Sequence, residues 1–328
     1  MSRRRQGLLW LGVVVIAWGL TWPVSKVILA SVPPLWTVAF RSAIGTVALF
    51  AIGLVAGRLA PPPRGDIPVV IGIALLHMVG FGLLASVGLG LVPTGRSVVL
   101  AYTTPLWVAP GASLFLGERL TARRAVGVVV GLLGLVALCN PLAFDWTERA
   151  AVLGHVAILG AALLWAASIV QIRGHRWRAT PLDVVPWSLG LATLVTALVA
   201  LAVEGVPRVA WSGRLVLMLL YAGVPGTALA YWATAMASRA LPAVTTSLGL
   251  LATPVVSVVI ATLWLGETLT VSLLSAIVLI LGGVALGTTA APADGEPDRV
   301  RQPSASAIPR GRRAPSRPCR AGRGGAAW

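Results

Sequence analysis

From Gly7 to residue 290 the chain alternates between apolar runs and short proline-rich or basic punctuation. The runs fall near 7–29, 34–57, 67–88, 97–116, 125–140, 150–172, 182–203, 213–235, 242–265 and 270–290. Each is close to the roughly 20 apolar residues that a helix needs to cross hydrocarbon. Charged residues make up only 11% of the chain and hydrophobic ones 57%, against about a quarter charged in soluble domains. A water-soluble globule is therefore excluded, and the pattern predicts an all-α integral membrane protein of ten transmembrane helices. SVPP at 31–34, APPPRGD at 60–66 and RGHRWRAT at 173–180 read as the turns between spans. The basic start before the first run resembles a secretion signal, but the run is long and nine more follow, so it reads as an uncleaved first helix.

The net charge of +16 does not indicate nucleic acid, because the arginines lie in short blocks between apolar runs and no nucleic-acid motif accompanies them. Their distribution sets orientation instead. With the N-terminus inside, twelve arginines near span ends are cytoplasmic (3, 4, 5, 58, 64, 119, 123, 124, 173, 176, 178 and 239) and four are outside (96, 149, 208 and 214). An even number of spans then puts both termini in the cytoplasm. Cys139 and Cys319 are too few for a disulfide framework and are expected as free thiols.

LFLGERLT at 114–121 returns as LWLGETLT at 263–270, with six of eight letters kept at an offset of 149. At that offset Thr104 meets Thr253, Pro105 meets Pro254, Gly117 meets Gly266 and Gly134 meets Gly283; Trp18 meets Trp165 at 147. This predicts two five-helix units, residues 1–144 and 145–290. Five is odd, so the second unit enters from the opposite face. ERLTARR carries three arginines and ETLTVSL none, as expected if the first copy faces the cytoplasm and the second faces out. Inverted repeats of this kind imply a transporter that opens alternately to each side around a site near the midplane.

These features, taken in order, resemble the EamA family of the drug/metabolite transporter superfamily. They are WGLTWPVSK at 18–26, Arg41 in the second run, AYWATAMASRALPA at 230–243, and Pro-x(10)-Leu-Gly-Glu-x-Leu-Thr at 105–121 and again at 254–270. Glycine-rich GVVVGLLGLVAL at 127–138 and AIVLILGGVAL at 276–286 complete the pattern. The resemblance implies a ten-helix transporter of the bacterial inner membrane with a central cavity, often exporting amino acids or other small metabolites. It names no solute, and the basic tail departs from it.

Ionisable groups inside a membrane are site candidates by default. Lys26 and Arg41 are expected near the outer mouth, suited to a carboxylate or phosphate, with snorkelling to the interface as the competing reading. His77 is the titratable side chain nearest the middle of a run and the candidate for any proton coupling; the alternative is a neutral, hydrogen-bonded core histidine, and facilitated diffusion stays open. All ten carboxylates fall at helix ends, loops or tail, so a carboxylate relay or sodium site is unsupported. Trp18, Trp22, Tyr102, Thr104, Trp165, Tyr231 and Thr245 form the candidate cavity wall, apolar bodies with a few polar groups. The competing readings are interfacial aromatic belts and hydroxyls bonded to local backbone. Pro105 and Pro254 are expected as equivalent mid-helix kinks. Gly127-x-x-x-Gly131 reads as a close-packing face, more in keeping with an intramolecular contact than with a homodimer seam, which stays open.

Residues 291–328, with eight arginines, six prolines and three acids, read as a disordered cytoplasmic tail. Catalytic and metal-binding motifs are absent from the sequence, so no enzyme activity, metal or cofactor is expected. The partners expected are a small solute and the lipid bilayer.

Overall fold

The structure, a computed structural model, describes residues 2–55, 57, 59–118, 120–139, 147–179, 181–241, 246 and 249–288. Every regular element among them is helical. Seven helices are long and apolar enough to cross a bilayer: Arg4–Leu29, Pro34–Val55, Arg64–Leu91, Thr94–Leu116, Arg149–Gly174, Asp183–Glu204 and Gly213–Thr234. Ala252–Leu265 and Val271–Gly287 are shorter apolar helices. Helical geometry satisfies each span's backbone internally, which hydrocarbon demands.

The elements in chain order are α1 (Arg3–Leu29), α2 (Pro34–Val55), α3 (Ile67–Gly72), a π-helical stretch Ile73–Phe81, α4 (Gly82–Leu91), α5 (Thr94–Ala101), α6 (Thr104–Leu116) and α7 (Ala122–Cys139). Then come α8 (Arg149–Gly174), α9 (Pro181–Glu204), α10 (Gly213–Gly223), a second π stretch Val224–Leu229, α11 (Ala230–Ala240), α12 (Ala252–Leu265) and α13 (Val271–Thr288).

The repeated octapeptide can now be read letter by letter. Gly117 and Gly266 end α6 and α12 in the left-handed region, with φ of 67° and 69°, a conformation that glycine adopts without a Cβ penalty. Thr121 and Thr270 then start the next helices: their hydroxyl oxygens accept from the N–H of Arg124 at 3.3 Å and of Leu273 at 3.2 Å. Glycine stops one helix, threonine starts another, and the glutamate between them reaches across the molecule. Glu118 pairs with Arg173 at 2.7 Å. Glu267 accepts from the N–H groups of Thr94 at 2.6 Å and Gly95 at 2.8 Å, capping α5.

Helices from the two halves of the chain cross antiparallel. Leu35 N–H donates to Glu204 at the far end of α9, Thr46 meets Thr193, and Phe50 packs edge-on to Trp187. On α7 and α13, Gly127 lies against Gly283 and Gly287, Gly131 against Gly283, and Gly134 against Leu279 and Ile280. A Cβ on Gly127 would come within 2.6 Å of the Gly283 carbonyl oxygen, so glycine is what allows this approach. The small-residue face is thus spent inside the chain. Likewise Gly72, Gly80 and Gly88 of the third span pack against Gln171, Leu164 and Ile158 of α8. Loop anchors complete the frame: buried Asp66 accepts from Ala179 N–H at 2.7 Å and pairs with His175 at 2.9 Å.

Candidate functional site

Seven rings from five spans converge. His77 lies on the first π stretch and stacks on Trp165 of α8, with centroids 5.2 Å apart and planes 9° from parallel. Phe81 follows on the same stretch and tilts onto Trp165 at 5.1 Å. Tyr102, at the end of α5, stands perpendicular to Trp165 at 5.9 Å, and Tyr231 of α11 stands perpendicular to His77 at 5.9 Å. Trp18 and Trp22 of α1 close the ring, against Tyr231 at 6.2 Å and Phe81 at 6.5 Å. Edge-to-face and offset contacts of this kind are the favoured aromatic geometries.

Arg41 of α2 lies within electrostatic reach of both His77 and Tyr231. The three lie deep inside the protein yet each is only half-buried. They therefore face an internal space and not lipid. The Arg41 Nε is itself buried and has no hydrogen-bond partner. No carboxylate of the described residues pairs with this guanidinium.

Backbone irregularities put the rings there. The span 94–116 is broken: α5 ends at Ala101, Tyr102 and Thr103 turn, and α6 starts at Thr104. Pro105 stands in the first turn of α6, where its missing N–H leaves no bond unmade. Pro254 likewise stands in the first turn of α12, after a turn at Leu251. Both prolines follow a break, whereas the spacing predicted kinks within unbroken helices. Tyr102 and Leu251 are 149 positions apart, so the two breaks correspond. The π stretches at 73–81 and 224–229 widen the third and eighth spans beside the same rings, and such turns recur at functional sites.

Among the sequence candidates, the structure brings together Trp18, Trp22, Arg41, His77, Tyr102, Trp165 and Tyr231. Thr104 turns its hydroxyl back to the Ala101 carbonyl at 2.7 Å and lies 3.3 Å from that of Ala162, so it seals the break. Lys26 keeps other company than Arg41: its ammonium donates to the carbonyls of Leu89 and, at 3.0 Å, Val92, closing the C-terminus of α4. Thr245 lies outside the described residues. Phe81 was missed by the sequence reading, although a position four residues beyond His77 shares its helical face. Nothing local marks it as different from other apolar residues in its run.

The chain matches the family model "EamA-like transporter family" over residues 5–139 and again over 152–289. It is 26% identical to "Uncharacterized transporter YoaV" of Bacillus subtilis, over 84% of this chain and 94% of that one. It is 30% identical to the "Probable amino-acid metabolite efflux pump" of Salmonella typhimurium, over 86% and 94%. Among solved structures, one crystal structure is similar with a TM-score of 0.65 at 24% identity, over 88% of this chain and all of that one, and others match too, which shows a common fold.

Proposed function

The chain belongs to the EamA-like transporter family, a multi-pass protein of the bacterial cell membrane. From that premise we propose that it is a secondary transporter exporting small metabolites such as amino acids or related solutes. Ten membrane helices form two inverted five-helix repeats, residues 1–144 and 145–290, with both termini in the cytoplasm. The repeats exchange conformations around the ring of Trp18, Trp22, Arg41, His77, Tyr102, Trp165 and Tyr231, opening it alternately to each side.

The observation that carries the proposal is the stack of His77 on Trp165. One residue comes from each half of the chain, so the internal space lies on the seam between them, where rocking of one half against the other would expose it. The matched helix breaks at Tyr102 and Leu251 and the antiparallel crossings support the same reading. The similarity to an amino-acid metabolite efflux pump supports the solute class. Import or facilitated passage of the same solutes is the alternative, since a near-symmetric frame runs with the gradient.

The test is solute flux in liposomes holding the purified protein, paired with an impermeant thiol reagent on cysteines placed at Glu118 and Glu267. Gradient-driven flux that falls in Trp165→Ala, with the two cysteines labelled from opposite faces, is the expected result. Labelling of both from one face would end the inverted-repeat reading, and absence of flux would end the transporter reading.

A further inference from the structure

We infer that the solute held at the ring is a net anion, a carboxylate on a flat apolar body with no ammonium group beside it. The inference rests on the transporter reading and departs from its amino-acid example, keeping of its solutes only the related carboxylates that lack an amine.

The first observation is that the charge balance of the site is one-sided. Arg41 keeps its proton under all ordinary conditions. Its Nε is buried without a partner, and no carboxylate of the described residues neutralises it. A buried cation without a counter-ion is costly, more so within a membrane, so an anion entering the space gains what the protein itself does not supply. The position 147 residues later is Ser188, also buried with an unpartnered hydroxyl. At that offset the repeat supplies a neutral residue and no second charge. A guanidinium fork fits a carboxylate with two parallel bonds. A phosphate dianion would bring a second charge, for which the described residues show no second cation beside Arg41.

The second observation concerns what an ammonium group would need. Carboxylates, carbonyl oxygens and aromatic faces hold such a group; no carboxylate of the described residues is paired at the ring, and beside its aromatic faces Arg41 already supplies a positive charge. Helix breaks usually expose carbonyls, but at the break after Ala101 hydroxyls take two of them. Thr103 donates to Leu100 O at 2.7 Å and Thr104 to Ala101 O at 2.7 Å. Beside the second π stretch, Thr227 donates to Ala222 O at 2.7 Å, and Ala17 O accepts from both Thr21 and Tyr221. An ammonium group a few ångströms from a carboxylate held by Arg41 would face the guanidinium's repulsion without compensation.

The third observation is shape. His77 and Trp165 stack on each other and so offer a solute only their outer faces, with Tyr231 perpendicular to His77 and Tyr102 perpendicular to Trp165. Such walls suit a planar or ring-bearing body.

A matched ligand set tests the charge directly, because its members share a benzyl body: phenylacetate (anion), phenylacetamide (neutral), phenylalanine (zwitterion) and phenethylamine (cation). Binding is measured by calorimetry on the full-length protein in nanodiscs, and flux by uptake into proteoliposomes. The wild-type protein is expected to bind phenylacetate at least tenfold more tightly than the other three. Arg41→Gln should level the series, and Arg41→Lys should keep the order with weaker binding. Phenylalanine binding as well as phenylacetate, binding of none of the four, or an Arg41→Gln protein that keeps the preference would each overturn the inference. The wild-type series decides the matter even if the variant does not fold. Preferred binding of phenylacetate without its flux would leave the anion site standing and remove the transporter reading.

Discussion

The hydroxyl oxygens of Thr46 and Thr193 lie 2.8 Å apart, and these residues are separated by 147 positions, as are Trp18 and Trp165. Thr193 also donates to Leu189 O at 2.9 Å, so Thr46 is left as the donor between the pair. Positions that correspond by the repeat offset thus touch at the middle of the α2–α9 crossing. Hydrogen bonds between membrane helices contribute about 0.6 kcal/mol on average. Thr46→Val should therefore lower stability by about 0.5–1 kcal/mol, and adding Thr193→Val should cost little more. Thermal unfolding in detergent measures this; fully additive losses would show that the two hydroxyls do not interact.

The two glutamates of the repeated octapeptide should respond unequally. Glu267 holds two backbone N–H groups at the start of α5, charge-assisted bonds at the positive end of a helix. Glu267→Gln should lower stability by about 1–2 kcal/mol. Glu118 is bridged to Arg173, whose side chain is 42% exposed, and such pairs contribute below about 1 kcal/mol. Equal drops in unfolding temperature for Glu267→Gln and Glu118→Gln would contradict this assignment.

Neighbouring residues on α7 and α13 separate close packing from mere glycine content. At Gly127 an added methyl meets backbone atoms of Gly283 and Gly287 at 2.6–2.9 Å, which cannot swing aside. Gly127→Ala should cost about 2–3 kcal/mol through overpacking. Gly282 has open space around its Cβ position, and Gly282→Ala should be neutral or slightly stabilising. Monodispersity and thermal unfolding of the two proteins decide it.

Phe81 offers a check on the site that does not touch a polar group. It packs on Trp22, His77 and Trp165, so Phe81→Ala should open the ring and reduce flux about tenfold, while Phe81→Leu keeps most of it. Full flux in the alanine variant, in protein that remains folded, would take Phe81 off the wall.

Asp66 is buried and accepts from His175 and from the N–H groups of Arg178 and Ala179. Asp66→Asn keeps the size but weakens three bonds, and should cost about 1–3 kcal/mol. Hydrogen exchange should rise locally across residues 175–179; unchanged exchange there would show that the anchor lies elsewhere.

Much of this was legible because membrane physics constrains sequence hard. Helical spans follow from run length, and the rings at Trp18, Trp22, His77, Tyr102, Trp165 and Tyr231 stand out because large polar-tipped side chains are uncommon deep in apolar runs. What was not legible depends on partners distant in the chain. Lys26 reads as a mouth residue until the ends of α4 are seen to lie under its ammonium. The breaks before Pro105 and Pro254 look like kinks in the sequence, since proline suits both a kink and the first turn of a new helix. Phe81, Glu204 and Asp66 carry no local sign of their roles. The π stretches leave none either, because an extra residue per turn changes hydrogen bonding without changing composition.

Those two wide turns bear on how the chain tolerates changes of length. A stretch such as Ile73–Phe81 can shed one residue by relaxing to ordinary helical winding, leaving the span intact. Because the wide turn is what holds the extra residue, the flanking turns would keep their facing, and only side chains within the stretch would change position. His77 and Phe81 sit on that hinge of winding, and Tyr231 just beyond its counterpart. Insertions and deletions there would swap which side chains face the interior while sparing the scaffold, a route to new cargo that point substitution alone would reach only slowly.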